Sequence, residues 1–262
     1  STRDWSSDVC SSDLGDKNII AIADPHLGVV PGDVEEMIQF IGTLDPVDSD
    51  LLFLGDLFHI WAGPEKYHTS PVESMLAVLK NFRQQGGKVY LVVGNRDIFL
   101  AGHPQNKRLK NLPFDGIFPE YGFINLGGRQ IMAVHGDTVN TLDTRYLKWR
   151  STIRHPLFER FFDLMPSGWV KKIMFRLESD LQQTNLDYRK SFPVAEWDRF
   201  VDQVSADHSP GLLLCGHFHP KDLIVKKTGE MTAIVIPDWF KTGDCLRISS
   251  DLSYEQCRFR NG

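Results

Sequence analysis

Val89-Tyr90-Leu91-Val92-Val93-Gly94-Asn95-Arg96-Asp97 is an apolar run that stops at a glycine and then sets down an amide, a guanidinium and a carboxylate. A run of this length ending at a turn residue reads as a buried strand. In open α/β sheets, ligands bind at the C-terminal edge of such strands. Four other stretches repeat the pattern. Residues 19–23 precede Asp24-Pro25-His26, and residues 51–54 precede Gly55-Asp56. Residues 131–134 precede His135-Gly136-Asp137, and residues 212–215 precede Gly216-His217-Phe218-His219.

Between these runs lie helical patterns. Residues 33–44 carry Val34, Met37, Ile38, Ile41 and Leu44 at helical spacing. Ser70-Pro71-Val72-Glu73 predicts a helix start, with a serine cap, an early proline and a glutamate closing a capping box. Gly86-Gly87 stops that helix at about residue 85. Strand–helix–strand–helix–strand argues for a parallel sheet with crossover helices. Residues 122–126 and 130–134 around Gly127-Gly128 read as a hairpin. A helical stretch broken at Pro156, Pro166 and Pro193 follows, and then a strand-rich C-terminal part. The expected fold is an α/β, two-sheet α-β-β-α sandwich, with a helical lid inserted at about 141–206.

Charged residues are 24% of the 262 and apolar ones 42%, ordinary for a globular chain. The net charge of −5 carries no nucleic-acid footprint, so no nucleic acid is expected as a partner. No apolar run is long enough to span a bilayer. Cys10, Cys215, Cys245 and Cys257 show no Cys-x-x-Cys and suit a reducing compartment. Residues 1–14 resemble a translated sequencing-library adapter, and the sequence reading sets them aside as a non-native leader before a single domain at 15–262.

The strand ends collect two aspartates, one asparagine and four histidines: Asp24, His26, Asp56, Asn95, His135, His217 and His219. One ion of four to six ligands does not need seven donors. Two ions sharing a carboxylate do, about 3.5–4 Å apart, in an arrangement suited to in-line displacement at phosphorus. Imidazoles with carboxylates suit manganese, iron or zinc, and the lack of thiolates argues against a structural zinc site. Singly, each residue reads as well as a turn former or a hydrogen-bonded core group. Jointly they do not.

Asp24-x-His26, Gly55-Asp56, Gly94-Asn95-x-Asp97, His135 and Gly216-His217-x-His219, in that order, resemble the calcineurin-like metallophosphoesterase family over roughly residues 18–240. The resemblance implies that Asp24, His26, Asp56 and His219 hold one divalent ion, manganese being the expected metal. It implies that Asp56, Asn95, His135 and His217 hold the other, with Asp56 as the bridge. Asp97 is expected to orient a metal-bound histidine.

Most members of the family carry histidine where this chain has Arg96. That histidine can protonate a poor leaving group. A guanidinium stays protonated and cannot, but it can clamp two phosphate oxygens. A nucleoside monophosphate leaving from a diphosphate needs no acid, so Arg96 favours a pyrophosphate substrate. Within the family, Gly-Asn-Arg-Asp is typical of the branch that hydrolyses a UDP-linked diacylglucosamine in lipid A biosynthesis, releasing UMP. His135-Gly136-Asp137-Thr138 followed by Thr141, Asp143, Tyr146 and Arg150 is similar to another block of that branch. The resemblance implies substrate contacts at Asn95, Arg96, Asp143, Trp149 and Arg150, with Asp143 at the glucosamine. It also implies a lipid-linked nucleotide as partner and a cytoplasmic protein peripheral to the inner membrane.

Residues 144–176 carry eight Lys/Arg against Glu159 and Asp163, interleaved with Trp149, Leu157, Phe158, Phe161, Phe162, Leu164, Met165 and Trp169. Such faces suit an anionic membrane surface. They equally suit a lid with its own core and a solvated basic side. Three features depart from the branch: Ser179 is followed by Gln183 and Leu186 instead of Asn and Lys, the last histidine motif reads Gly-His-Phe-His-Pro, and Phe240 follows Trp239. A related metallophosphoesterase acting on another nucleotide diphosphate or phosphodiester is the second reading. A non-catalytic scaffold has no need for seven intact ligands.

Overall fold

Strands covered by side chains on both faces are apolar at every position, and residue parity then decides which core each side chain enters. Ile19 and Ala21 enter the layer between two sheets, whereas Ile20 and Ile22, one position along, pack beneath helices. The computed structural model of the chain describes residues 11–14, 17–59, 61–62, 65–100, 111–166, 168–169 and 192–260. The strands are β1 (Ser11–Leu14), β2 (Asn18–Ile22), β3 (Ser49–Phe53), β4 (Trp61–Ala62), β5 (Val89–Val92), β6 (Asp97–Ile98), β7 (Gly116–Phe118), β8 (Tyr121–Leu126), β9 (Arg129–Val134), β10 (Leu212–Cys215), β11 (Ile224–Thr228), β12 (Met231–Val235), β13 (Asp244–Ile248) and β14 (Tyr254–Arg258). The helices are α1 (Asp33–Gly42), α2 (Ser70–Gln84), α3 (Thr144–Ile153), α4 (Pro156–Asp163), α5 (Val194–Asp207) and α6 (Trp239–Thr242).

One six-stranded sheet runs β14-β13-β2-β3-β5-β7 and the other β1-β8-β9-β10-β12-β11. Within the first, β2, β3 and β5 are parallel, with Leu52 opposite Ala21 and Tyr90. Within the second, β9, β10 and β12 are parallel, with Leu214 opposite Ala133 and Ile234. Met37, Phe40, Ile41, Met75, Leu79 and Phe82 of α1 and α2 cover the outer face of the first sheet. Trp197, Phe200, Val201 and Val204 of α5 cover the outer face of the second. The result is the α-β-β-α sandwich, in which the loops that follow β2, β3, β5, β9 and β10 meet at one edge.

The expected elements differ from the structure in a few places. The helix after residue 69 is capped at Thr69, not Ser70, and no capping side chain bonds to it. Pro71 sits comfortably in the first turn because N–H groups there have no intrahelical partner. Residues 11–14, set aside in the sequence reading, form β1 and pair in parallel with β8. The insertion is helical in its described parts, α3, α4 and α5. Lys171, Lys172, Ile173, Met174, Phe175, Arg176, Ser179 and Gln183 lie outside the described residues. Among the described residues no helix is long and apolar enough to cross a membrane.

Candidate metal centre

Each strand that reaches the site ends in a tight turn, and the backbone there is held away from ordinary conformations. Asp24, His26, Asp56, His217 and His219 all have φ between 47° and 68°. Left-handed backbone at a non-glycine residue is unfavourable by about 1–2 kcal/mol, and such strain gathers where function over-determines geometry. Glycine makes the convergence possible. A Cβ on Gly55, itself at φ 94°, would fall 2.8 Å from His135 Cγ and 2.8 Å from Gly94 Cα. A Cβ on Gly94 would lie 3.0 Å from Asp56 Cγ, and closer still to the Asp56 carboxylate oxygen and backbone nitrogen.

One donor atom from each of Asp24, His26 and His219 lies within 4.8 Å of the others, and the same holds for Asp24, Asp56 and His135. Asp24 is therefore the carboxylate common to both close groups, where the sequence reading gave the shared place to Asp56. Asp56 still faces both sides, with Oδ2 4.0 Å from His26 Nδ1 and Oδ1 3.8 Å from His135 Nε2. His219 Nε2 is 3.4 Å from Asp24 Oδ1, an ion-pair distance without hydrogen-bond geometry.

The donor set fits cations. Asp24 Oδ1 and His26 Nδ1 are buried without a hydrogen-bond partner among the described residues. An orphaned buried carboxylate oxygen is expensive unless a positive charge meets it. His135 Nδ1 donates to the Leu54 carbonyl at 2.7 Å, which turns Nε2 toward Asn95 Oδ1 at 3.1 Å and His217 Nδ1 at 3.2 Å. These atoms point lone pairs at one another, and a cation or a proton must lie among them.

The electrostatics agree. Burial pushes the Asp24 carboxyl up, but His219, His135 and His26 outweigh it and hold it below the usual range. Burial drives His26 down to about 3 despite Asp56 and Asp24. Burial, aided by His135, drives His217 down to about 4. Neutral imidazole is the form that ligates metal. Burial also opposes charge on His135, yet Asp56, Asp24 and Asp137 together raise it.

No protein-family model matches the chain. Curated relatives do. A UDP-2,3-diacylglucosamine hydrolase of Serratia proteamaculans is 31% identical over 241 residues, covering 89% of this chain and 96% of that protein. One from Vibrio cholerae is 30% identical over 243 residues, covering 90% and 97%. The chain belongs to the UDP-2,3-diacylglucosamine hydrolase family. A hydrolase of this family from Histophilus somni is 29% identical over 239 residues, covering 90% of this chain and 97% of its own length. Among solved structures, an archaeal phosphodiesterase matches at 11% identity and a TM-score of 0.46, covering 92% of this chain and 98% of that one.

A cavity of about 120 Å³ opens beside His26, Asp56 and His217, lined by Asn95, Arg96, Asp137, Asn140, Asp143, Tyr146 and Phe218 among others. Arg96 donates its backbone N–H to Asp56 Oδ1 at 2.8 Å, and its Nε lies 3.7 Å from Asp56 Oδ2. Asp143 accepts from Tyr146 N at 2.9 Å as the cap of α3. Trp149 and Arg150, expected from sequence to touch substrate, do not line this cavity. The Arg150 guanidinium is committed to protein carboxylates, with Nε donating to Asp137 at 2.6 Å and Nη1 and Nη2 donating to Glu120 at 3.0 and 2.8 Å. Asp97 Oδ2 accepts from the backbone N–H groups of Asp56 and Gly94, each at 2.8 Å, and so ties two loops together.

Sequence reasoning missed Asp238. This buried carboxylate lies 3.6 Å from His219 Nδ1 through Oδ2. Its signal was present: residues 233–236 are a sixth apolar run, and Pro237-Asp238 ends it.

Proposed function

We propose that this chain hydrolyses the pyrophosphate bond of UDP-2,3-diacylglucosamine, giving 2,3-diacylglucosamine 1-phosphate and UMP, with two divalent ions, manganese being the metal. The observation that carries this reading is the convergence of oxygen and nitrogen donors from five strand-end loops of the two sheets, with Asp24 Oδ1 and His26 Nδ1 buried and unpartnered among the described residues, in a chain of this family. His26 and His219 with Asp24 would hold one ion. Asn95, His135 and His217 would hold the other, and Asp56 would serve both. When bound, such ions polarise phosphoryl oxygens and make water a nucleophile near neutral pH.

The remaining work falls to the chain. Asp97 holds the Asp56 and Gly94 backbones in register, so Asp56 and Asn95 face the same point. Arg96 presents its guanidinium to the phosphate oxygens and gains most where charge builds up during displacement. The oxygen of water forms the new P–O bond, and the bridging P–O bond breaks with its electron pair leaving on UMP. No general acid is required at the leaving phosphate. To Asp143, which lines the cavity, we assign the reading of the sugar hydroxyls.

The exposed side chains Leu157, Phe161, Leu164 and Trp169 of the insertion, with Arg160 among them, support contact with an anionic membrane surface. We place the protein in the cytoplasm, peripheral to the inner membrane, with residues 1–14 dispensable for activity and the part of the insertion that precedes α5 as a lid. The test is UMP release from UDP-2,3-diacylglucosamine with added manganese, beside para-nitrophenyl phosphate and a bis-ester. UMP release that disappears in Asp56→Asn is the expected result. Ester cleavage without UMP release would move the chain to another substrate.

A further inference from the structure

The two sheets contribute different donors to the second ion: Asn95 follows β5 of one sheet, and His135 follows β9 of the other. The 3.1 Å between Asn95 Oδ1 and His135 Nε2 crosses the interface between the sheets, where the His135 ring is aimed by its Nδ1 bond to the Leu54 carbonyl, so the distance depends on how far apart the sheets are held. A chain of ion pairs does cross there. Arg154, at the C-terminal cap of α3, donates through Nη2 to the carbonyls of Val93 and Gly94 at 3.3 and 3.2 Å, immediately before Asn95. Its Nη1 donates to the Pro119 carbonyl at 2.7 Å and to Glu120 Oε1 at 3.0 Å. Glu120 lies in the link between β7 of the first sheet and β8 of the second. The same carboxylate accepts both terminal nitrogens of Arg150, whose Nε donates to Asp137, two residues after His135.

We infer that Arg154, Glu120 and Arg150 are positioning residues that set the spacing between the two sheets at the site, and so the fit of the second ion. This rests on the two-ion reading above. Bidentate guanidinium–carboxylate pairing is the geometry suited to such a tie, since its planar fork fixes angle as well as distance. Each tie ends within two residues of a donor to the second ion, and among the described residues these three side chains make no hydrogen bond to Asp24, His26 or His219. Loss of the tie therefore loosens one ion and spares the other. Outer partners of metal ligands commonly change affinity by about 10–100-fold.

The test uses the whole chain and side chains that are not metal donors. Glu120→Gln and Arg154→Lys are titrated with manganese by calorimetry and by electron paramagnetic resonance, which reports exchange coupling between two nearby Mn2+ ions. Expected is a weaker second binding step, by about tenfold, with an unchanged first step and a reduced coupled signal at equal manganese. Saturating manganese should restore kcat without changing KM for the lipid nucleotide. Circular dichroism of the metal-free variants guards against misfolding, and Arg154→Lys keeps the charge if Glu120→Gln does not fold. Equal weakening of both steps, or no change in either, overturns the tie. A wild-type chain that binds one ion only overturns the two-ion reading and the tie with it.

Discussion

Gly94→Ala adds a single methyl group where the loops after β3 and β5 of the first sheet meet. That methyl would sit 3.0 Å from Asp56 Cγ and nearer still to Asp56 Oδ1 and N. Carbon atoms in favourable contact are about 3.5–4.0 Å apart, so one of the two loops must retreat by up to ~1 Å. Overpacking a close-packed interior costs about 1–3 kcal/mol. At ~2–4 °C per kcal/mol for a chain of this size, Tm should fall by about 2–12 °C. Activity should suffer more than stability. A misplacement of ~1 Å at a reacting centre can lower rate by about 10²-fold, and the retreat moves Asp56 or Asn95 directly. UMP release under saturating manganese and a thermal melt check both numbers. Gly42→Ala is the control, because nothing lies within 4 Å of a Cβ at the end of α1. It should keep full activity and hold or raise Tm, as alanine in an unstrained helical position does. A Gly94→Ala chain with wild-type rate and Tm would refute the close approach from which the site is derived.

Arg96→His should lower pyrophosphate cleavage and raise hydrolysis of para-nitrophenyl phosphate relative to it; an unchanged ratio contradicts the phosphate-clamp argument. Chelation should lower Tm, and manganese at about 100 times its Kd should restore about 2.7 kcal/mol, or roughly 5–11 °C in a melt. Asp97 predicts a pH effect in the metal-free chain. Burial and the Asp56 charge push its carboxyl from 3.8 up to about 7, against the hydrogen bond from Gly94. The folded chain thus keeps a proton that the unfolded chain loses, and the associated stability is full below pH ~4 and lost as pH rises through ~7. Urea unfolding of metal-free wild type and Asp97→Asn at stepped pH should show wild type losing ground to the variant across that window. Parallel curves would show that Asp97 is ionised in the fold throughout.

The fold was legible because its signals are local. A run such as Leu51-Leu52-Phe53-Leu54, apolar at every position, too short for a helix and stopped by Gly55, reads as a strand covered on both sides, and α1 and α2 announce themselves at helical spacing on either side of it. The seven candidate ligands were legible for the same reason, since each follows its strand within a few residues. The short strand at Gly116–Phe118 and the four-residue α6 were not, because elements so brief have too few side chains to establish a period. The charge and spacing of Arg150 are equally those of a phosphate ligand and of a partner for carboxylates, and its ties to buried Asp137 and to Glu120, thirty residues away in sequence, are visible only in the fold.

The order of apolar runs, and the hard donors that end them, determined a two-sheet sandwich with a metal-ligating edge, since strand parity and turn chemistry are written in neighbouring residues. Tertiary structure decided how those donors face one another. Asp24 is common to both close clusters, with Asp56 between His26 and His135; Asp97 ties two loops; and Asp238 stands behind His219. Asp24 accepts from the backbone of His217 across 193 residues, and distances of that kind depend on how two sheets stack, which no local pattern encodes.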